Sequence, residues 1–271
     1  MRPEQLPAVF RDLFLKQLDE VEEIYKKLVS ILPDLNYDLY LWAWHIVNTR
    51  CIYVENPRHP LVDSSKSGDT IAVIPLVDML NHSPKPQVLP LFDKRSQCYV
   101  VNVQSSAVLE EEQLFVCYGP HDNGKLWLEY GFMLPENIHN RVSIPLELFI
   151  ALTKKLGLEV DDEHISVLRE AGLPNTIYAS DEAPSYGLKK NCQILRMSHH
   201  ELLNWREKIY SHESDDEESE EVIERDNLVN DILKQLMASL RSRAEGVDEK
   251  LVWLWEEQID LIQKLVDNKN V

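Results

Sequence analysis

The chain has 271 residues, 28 Lys and Arg against 46 Asp and Glu, and a formal net charge of −18. A protein held to nucleic acid by phosphate contacts needs a basic face, so this balance argues against direct nucleic-acid binding. Hydrophobic residues make up 44% and charged residues 27%, a globular composition, and no apolar run approaches the ~20 residues of a membrane span. The four cysteines, Cys51, Cys98, Cys117 and Cys192, form no C-x-x-C pair, which argues against a zinc knuckle and points to reduced thiols. The first residues carry scattered charges and no apolar signal-peptide core.

In chain order, residues 4–32 read as a helix, with Phe10, Leu13, Phe14, Leu18, Val21, Ile24 and Leu28 recurring at helical steps until Pro33. Asn36 is placed to cap a second helix, 37–50, whose aromatic residues on most sides predict that it is well buried. Residues 55–70 are loop-like. The pattern then changes. Ile71–Pro75, Gln87–Phe92, Tyr99–Val103 and Leu114–Tyr118 are short, β-branched or aromatic, and bounded by turn residues, so they read as strands. After Leu146 the helical period returns, predicting helices 146–157, 161–172, 187–212, 222–245 and 248–267. Residues 213–226 hold nine acidic groups and a single Arg225; their mutual repulsion predicts a solvated acidic loop over 213–221. The fold class is α+β: helices, then a small β region, then an all-α tail.

Three clusters carry the chemistry. Asp78-Met79-Leu80-Asn81-His82 follows an apolar run; Cys117-Tyr118-Gly119-Pro120-His121-Asp122-Asn123 ends a strand on a tyrosine before a forced turn; Glu129-Tyr130-Gly131-Phe132 follows one short helix later. Each alone reads as a turn or a helix cap with packed aromatics. Their order and spacing are specific, and with Trp42-Ala43-Trp44, Asn48-Thr49-Arg50 and Val77 through Ser83 they resemble the SET-domain methyltransferases of the Rubisco large-subunit type.

The resemblance implies a helical SET insert at 1–70, the C-terminal catalytic part of the SET domain at 71–133, and a helical substrate-binding domain at 134–271. It implies S-adenosylmethionine as cofactor, no metal, and methylation of a protein lysine. Tyr118 would be the catalytic tyrosine, beside the transferring methyl. Arg50, Asn81, His82 and Tyr118 would bind cofactor, and Asp78, Tyr99 and Tyr130 would line the lysine channel. Ile52 stands where family members often carry an aromatic. A lysine is almost wholly protonated at pH 7, so an apolar, aromatic channel must favour the neutral amine by desolvation. The expected partner is a protein with a basic, lysine-bearing segment, a histone tail among them, met by a monomer in cytoplasm and nucleus, without membrane or nucleic acid.

One element of the family pattern has no match. SET domains wrap the cofactor with a Gly-x-Gly turn, and this sequence has no G-x-G, its eight glycines being Gly68, Gly119, Gly124, Gly131, Gly157, Gly172, Gly187 and Gly246. The expectation is that the N-terminal part of the SET domain is missing and that these residues alone bind cofactor weakly. Two alternatives stay open: a catalytically impaired form acting as a protein-binding module, and an enzyme whose acceptor is histidine.

Overall fold

A computed structural model of the chain describes residues 2–54, 71–93, 95–96, 98–104, 108–173, 177–210 and 219–268. It divides into two compact units, one of residues Asp12–His139 and one of Met1–Arg11 with Asn140–Val271. The first eleven residues therefore group with the C-terminal part, whereas the sequence reading joined them to the segment up to residue 70.

The chain opens with a 3₁₀ turn, Pro3–Gln5, and a helix α1, Ala8–Val29. The helix predicted over 4–32 is thus shorter at both ends. Helix α2, Tyr37–Arg50, begins where Asn36 accepts the Leu39 N–H at 3.1 Å. Tyr40 is its one buried residue and donates to the Val21 carbonyl at 2.7 Å, tying α2 to α1. The edge-on ring of Tyr25 lies 4.8 Å from Tyr37. The rest of α2 corrects the expectation of deep burial: Trp42 is 62% exposed and Leu39 57%. An aromatic composition shows that a helix wants cover; it does not show that cover is supplied.

Strand β1, Cys51–Tyr53, pairs antiparallel with β2, Ile71–Val73. A 3₁₀ turn at Val77–Met79 follows, entered through Leu76 at φ +78°, a left-handed conformation that a branched side chain adopts at a cost. Next come β3, Asn81–His82; β4, Val88–Asp93; β5, Cys98–Val103; and β6, Phe115–Val116. β4 and β5 form a hairpin from Val88↔Val103 to Asp93↔Cys98, and the Asp93 carboxylate accepts Arg95 N–H and the Ser96 hydroxyl in its turn. β3 and β6 pair in parallel, Asn81↔Phe115 and His82↔Val116, which lays the Asn-His pair beside the strand that leads to Tyr118. Helix α3, Asn123–Tyr130, is capped by Asp122, which accepts Lys125 N–H at 2.8 Å, and stopped by Gly131 at φ +80°.

The second unit is not all-α. Strand β7, Arg141–Ser143, precedes α4, Leu146–Lys155, and α5, Asp162–Glu170. Strand β8, Tyr178–Ser180, then pairs antiparallel with β7. Both strands are three residues long, too short to show an alternating pattern. The single helix predicted over 187–212 is three: α6, Tyr186–Leu195; α7, His199–Leu202; and α8, Trp205–Tyr210. Ser198 and Glu201 form a reciprocal capping box, which starts a new helix and so ends the old one. Helix α9, Glu220–Ala244, begins at the Ser219 cap, so Ser219, Glu220 and Glu221 leave the predicted acidic loop for a cap and first turn; residues 213–218 lie outside the described residues. There the acidic side chains favour the helix N-terminus. Helix α10, Glu249–Asn268, packs on α9. Phe149, Leu188, Ile194, Ile232, Leu233 and Ile262 are all essentially buried here, each contributing about 1.5–3 kcal/mol against exposure. Trp255 Nε1 donates to the Gln5 carbonyl at 2.9 Å and holds the N-terminal turn against α10. Among the described residues no helix is long and apolar enough to cross a membrane.

Candidate active site

The site is built where the parallel β3–β6 pair ends. Tyr118 lies two residues past the end of β6, and two hydrogen bonds fix it from the β3 side. Its backbone N–H donates to His82 Nδ1 at 3.0 Å, and its phenol donates to the Leu80 carbonyl at 2.7 Å. Gly119 then turns the chain at φ +143°, and a Cβ there would lie 2.6 Å from Nε2 of His121. Any other residue at 119 would face both a forbidden backbone angle and an occupied space.

His82 is only 4% exposed. Burial lowers its pKa, outweighing the pull of the Val116 carbonyl, and His139 works in the same direction as burial, so the imidazole is neutral. With Nδ1 accepting from Tyr118, the proton of the neutral ring belongs on Nε2. Nε2 is buried and has no hydrogen-bond partner among the described residues. A second polar pin holds the turn from below. Asn123 is 1% exposed; its amide donates to the Leu134 carbonyl at 2.8 Å and its oxygen accepts Leu134 N–H at 3.0 Å. The buried Asn137 donates to the His121 carbonyl at 2.9 Å and to Asn123 Oδ1 at 3.2 Å.

Around Tyr118 stand the rings of Tyr130 at 5.0 Å, His82 at 5.2 Å and Phe132 at 6.4 Å. Burial pushes both tyrosine pKa values up; Arg50 opposes this at Tyr118, while Glu129 and Tyr118 itself reinforce it at Tyr130. Both phenols are therefore neutral donors at pH 7. A cavity of about 260 Å³ opens beside them, with Arg50, Asp78, Leu80, Tyr118 and Tyr130 on its wall. Arg50 lies at the end of α2 and donates to the Asp78 carbonyl at 2.9 Å, so the 3₁₀ turn anchors the cation at the cavity.

Of the residues singled out in the sequence, Arg50, Asp78, Tyr118 and Tyr130 come together on one wall. Asn81, His82 and Tyr99 are not on it. His82 stands behind Tyr118, Asn81 is exposed on β3, and Tyr99 faces Phe92 across the β4–β5 hairpin, its pKa raised by burial. Sequence reasoning missed Asn137, whose signal was only a polar residue in a loop, and Phe132 as a member of the ring cluster. It also missed the carbonyls of Leu80 and Asp78, which no side-chain pattern can reveal. Among the described residues no group of three or more His, Cys, Asp or Glu side chains is arranged to hold a metal.

No family model matches the chain. It is 29% identical to SET domain-containing protein 4 of Mus musculus over 231 residues, covering 85% of this chain and 51% of that protein. The Homo sapiens protein of the same name is 29% identical over 206 residues, with 76% and 46% covered. A ribosomal lysine N-methyltransferase, set11 of Schizosaccharomyces pombe, is 28% identical and covers 97% of this chain and 68% of that one. The solved SET domain of LSMT, bound to lysine and AdoHcy, superposes with a TM-score of 0.53 at 16% identity, over 99% of this chain and 65% of its own. The chain has the SET-domain fold. It spans about half the length of the SET domain-containing protein 4 relatives it matches.

Proposed function

We propose that the chain carries the catalytic tyrosine and lysine channel of an S-adenosylmethionine-dependent protein-lysine N-methyltransferase. The observation that carries this reading is the setting of Tyr118: a neutral phenol on a cavity wall, backbone and hydroxyl both pinned, with Tyr130 packed 5.0 Å away and the Arg50 cation on the same wall. The names of the relatives support it, since lysine N-methyltransferases are among them.

The cofactor supplies a methyl group on a sulfonium, already a strong electrophile; the chain's own residues align the acceptor and keep water out. The wall fits one end of such a cofactor. Arg50 would be the cation for its carboxylate, and Tyr118 on the same wall would stand beside the transferring methyl. A volume of about 260 Å³ falls just below the ~300–1,000 Å³ of pockets that enclose a whole small ligand, so these residues hold part of the cofactor rather than all of it. Burial among Tyr118, Tyr130 and Val77 disfavours the charged ammonium and so favours the neutral amine that attacks.

The acceptor we propose is a lysine in a basic protein segment, such as a histone tail, attracted to a chain of net charge −18. The test is transfer of labelled methyl from S-adenosylmethionine to an array of basic protein segments, comparing wild type with Tyr118→Phe. A loss of about 100-fold or more in the variant, with an unchanged fold, is the expected result. Near-normal transfer by the variant removes Tyr118 from the chemistry. Mass spectrometry of the modified side chain distinguishes lysine from histidine.

A further inference from the structure

The ring of His82 joins the two strands that carry the site. The parallel β3–β6 ladder runs on past its paired residues to Ser83, whose N–H donates to the Val116 carbonyl at 2.9 Å. Two residues further along the other strand, Tyr118 N–H goes to His82 Nδ1 at 3.0 Å, a side chain and not a carbonyl. A side chain thus takes the place of a backbone rung, and an imidazole can change its protonation where a carbonyl cannot. Only one form of the ring makes this bond. The Nε2–H tautomer leaves the Nδ1 lone pair free to accept. In the Nδ1–H tautomer, and in the imidazolium, two N–H groups would face each other at 3.0 Å. The imidazolium would also be a charge on a residue 4% exposed, against the rings of Tyr118 at 5.2 Å and Phe132 at 6.1 Å. Among the described residues, the titratable groups that act on the ring are Tyr118, neutral at pH 7 across the hydrogen bond, and His139, whose charge disfavours a second one. Together with burial, which outweighs the pull of the Val116 carbonyl, they keep the ring neutral at pH 6.5 and above.

We propose that His82 is the positioning residue of Tyr118, acting through Nδ1 as the neutral Nε2–H tautomer, and that its protonation releases the tyrosine and stops methyl transfer in acid. On this proposal the imidazole touches neither cofactor nor acceptor; it acts through the Tyr118 backbone. Its effect on rate rests on the methyl-transfer reading, whereas the bond itself does not. A proton taken from solvent onto Nδ1 ends the acceptance from Tyr118 N–H, and no covalent bond besides that N–H changes. The phenol still has the Leu80 carbonyl at 2.7 Å, so the residue stays held by its tip while its backbone is let go. A displacement of about 1 Å at a reacting group can cost on the order of 100-fold in rate, so a small release is enough.

The full chain is compared with His82→Ala, His82→Asn and His82→Gln. Asparagine carries its amide oxygen at the place of Nδ1 and does not titrate; glutamine carries its own at the place of Nε2. In the wild type, nitrogen NMR of the histidine rings, with the His82 signals identified by their loss in His82→Asn, is expected to show the proton on Nε2. The Tyr118 amide signal is expected to shift with the same midpoint as that ring, below pH 6.5. His82→Asn is expected to recover most of the kcat lost in His82→Ala, and His82→Gln to recover little, with KM for S-adenosylmethionine changed by less than about threefold throughout. Deprotonation of the acceptor amine gives the logarithm of the rate a slope of about one against pH; below the midpoint of the ring the wild-type slope should steepen to about two, while that of His82→Asn stays at about one. The proposal is overturned by a proton on Nδ1, by a Tyr118 amide that does not follow the ring, by equal losses in His82→Asn and His82→Gln, or by a raised cofactor KM with kcat unchanged. If the wild type transfers no methyl group to any acceptor, the functional reading falls, and the ring and amide titrations still decide the bond.

Discussion

The two units are stabilised in different ways. Among the described residues, 34 of the 40 buried apolar side chains belong to the unit of residues 1–11 and 140–271, and only Val21, Tyr40, Val77, Val88, Val116 and Leu126 to the unit of residues 12–139. The large exposed apolar side chains run the other way, 22 of 26 lying between Leu13 and Ile138. The helical unit rests on hydrophobic burial. The site-bearing unit keeps its shape at the site through hydrogen bonds: His82 to Tyr118, Tyr118 to Leu80, Asn123 to Leu134, Asn137 to His121. Directional bonds position atoms well, yet each contributes only about 0.5–1.5 kcal/mol net. The lesson is that precision at a site and stability of a domain come from separate sets of residues.

The sharpest way to break this contrast is to cut both sides equally. Phe149→Ala, at a fully buried position on α4, is expected to cost about 3–5 kcal/mol, whereas Leu89→Ala, on a side chain 52% exposed on β4, should cost under about 0.5 kcal/mol. Urea unfolding followed by circular dichroism reads both. Equal costs would dissolve the distinction. Next in size, His82→Ala removes the acceptor of the part-buried Tyr118 N–H, an expected loss of about 1 kcal/mol. It should also loosen the backbone there, seen as faster amide exchange at residues 115–119. His82→Ala with protection unchanged there would show that β3–β6 pairing and the Leu80 carbonyl hold the tyrosine without the imidazole.

The smallest effect concerns pH. At the junction of α5 and α7, His199 Nδ1 lies 2.5 Å from Glu163, and its Nε2 lies 3.5 Å from Asp161. Hydrogen bonding to Glu163, then the charges of Asp161 and Glu163, raise the His199 pKa above 6.5. A raised folded-state value means that its stabilisation is complete below pH 6.5 and is lost as pH rises through the folded value. Asp161 is the opposite case: hydrogen bonds from the His164 backbone and ring lower it from 3.8 to about 2, so its contribution is present above pH 3.8 and is lost as pH falls towards 2. The melting temperature of the helical unit should fall slightly between pH 6.5 and 8, and His199→Ala should flatten that slope. A wild-type melting temperature flat across this range would show that solvent screens the exposed pair completely.

Much of this was legible in the sequence where a signal is local. Asn36 as a cap, Gly131 as a helix stop and the long apolar stripes of α9 and α10 depend on residues a turn apart. Tyr118 before a forced turn was readable for the same reason. What stayed hidden was non-local. The β3–β6 pair has two residues a side and no period, and it joins positions 34 apart in the chain. The Ser198-His-His-Glu201 box was readable as a helix start, but the apolar period across it resembled one long helix. The exposure of α2 and the place of His82 behind the wall, rather than on it, depend on what packs where, which composition leaves open.

Gly119 has one more consequence. The side chain it lacks is a volume that His121 has already taken, so the two positions share a single space and cannot be varied independently. Trimming His121 would make room at 119 without relieving the backbone angle there, and enlarging 119 would push the imidazole towards Tyr130, whose ring it stacks against at 6.4 Å. The free-energy effects of changes at 119 and 121 will therefore not add. In a library made one position at a time, 119 would look intolerant partly for a reason that belongs to the pair.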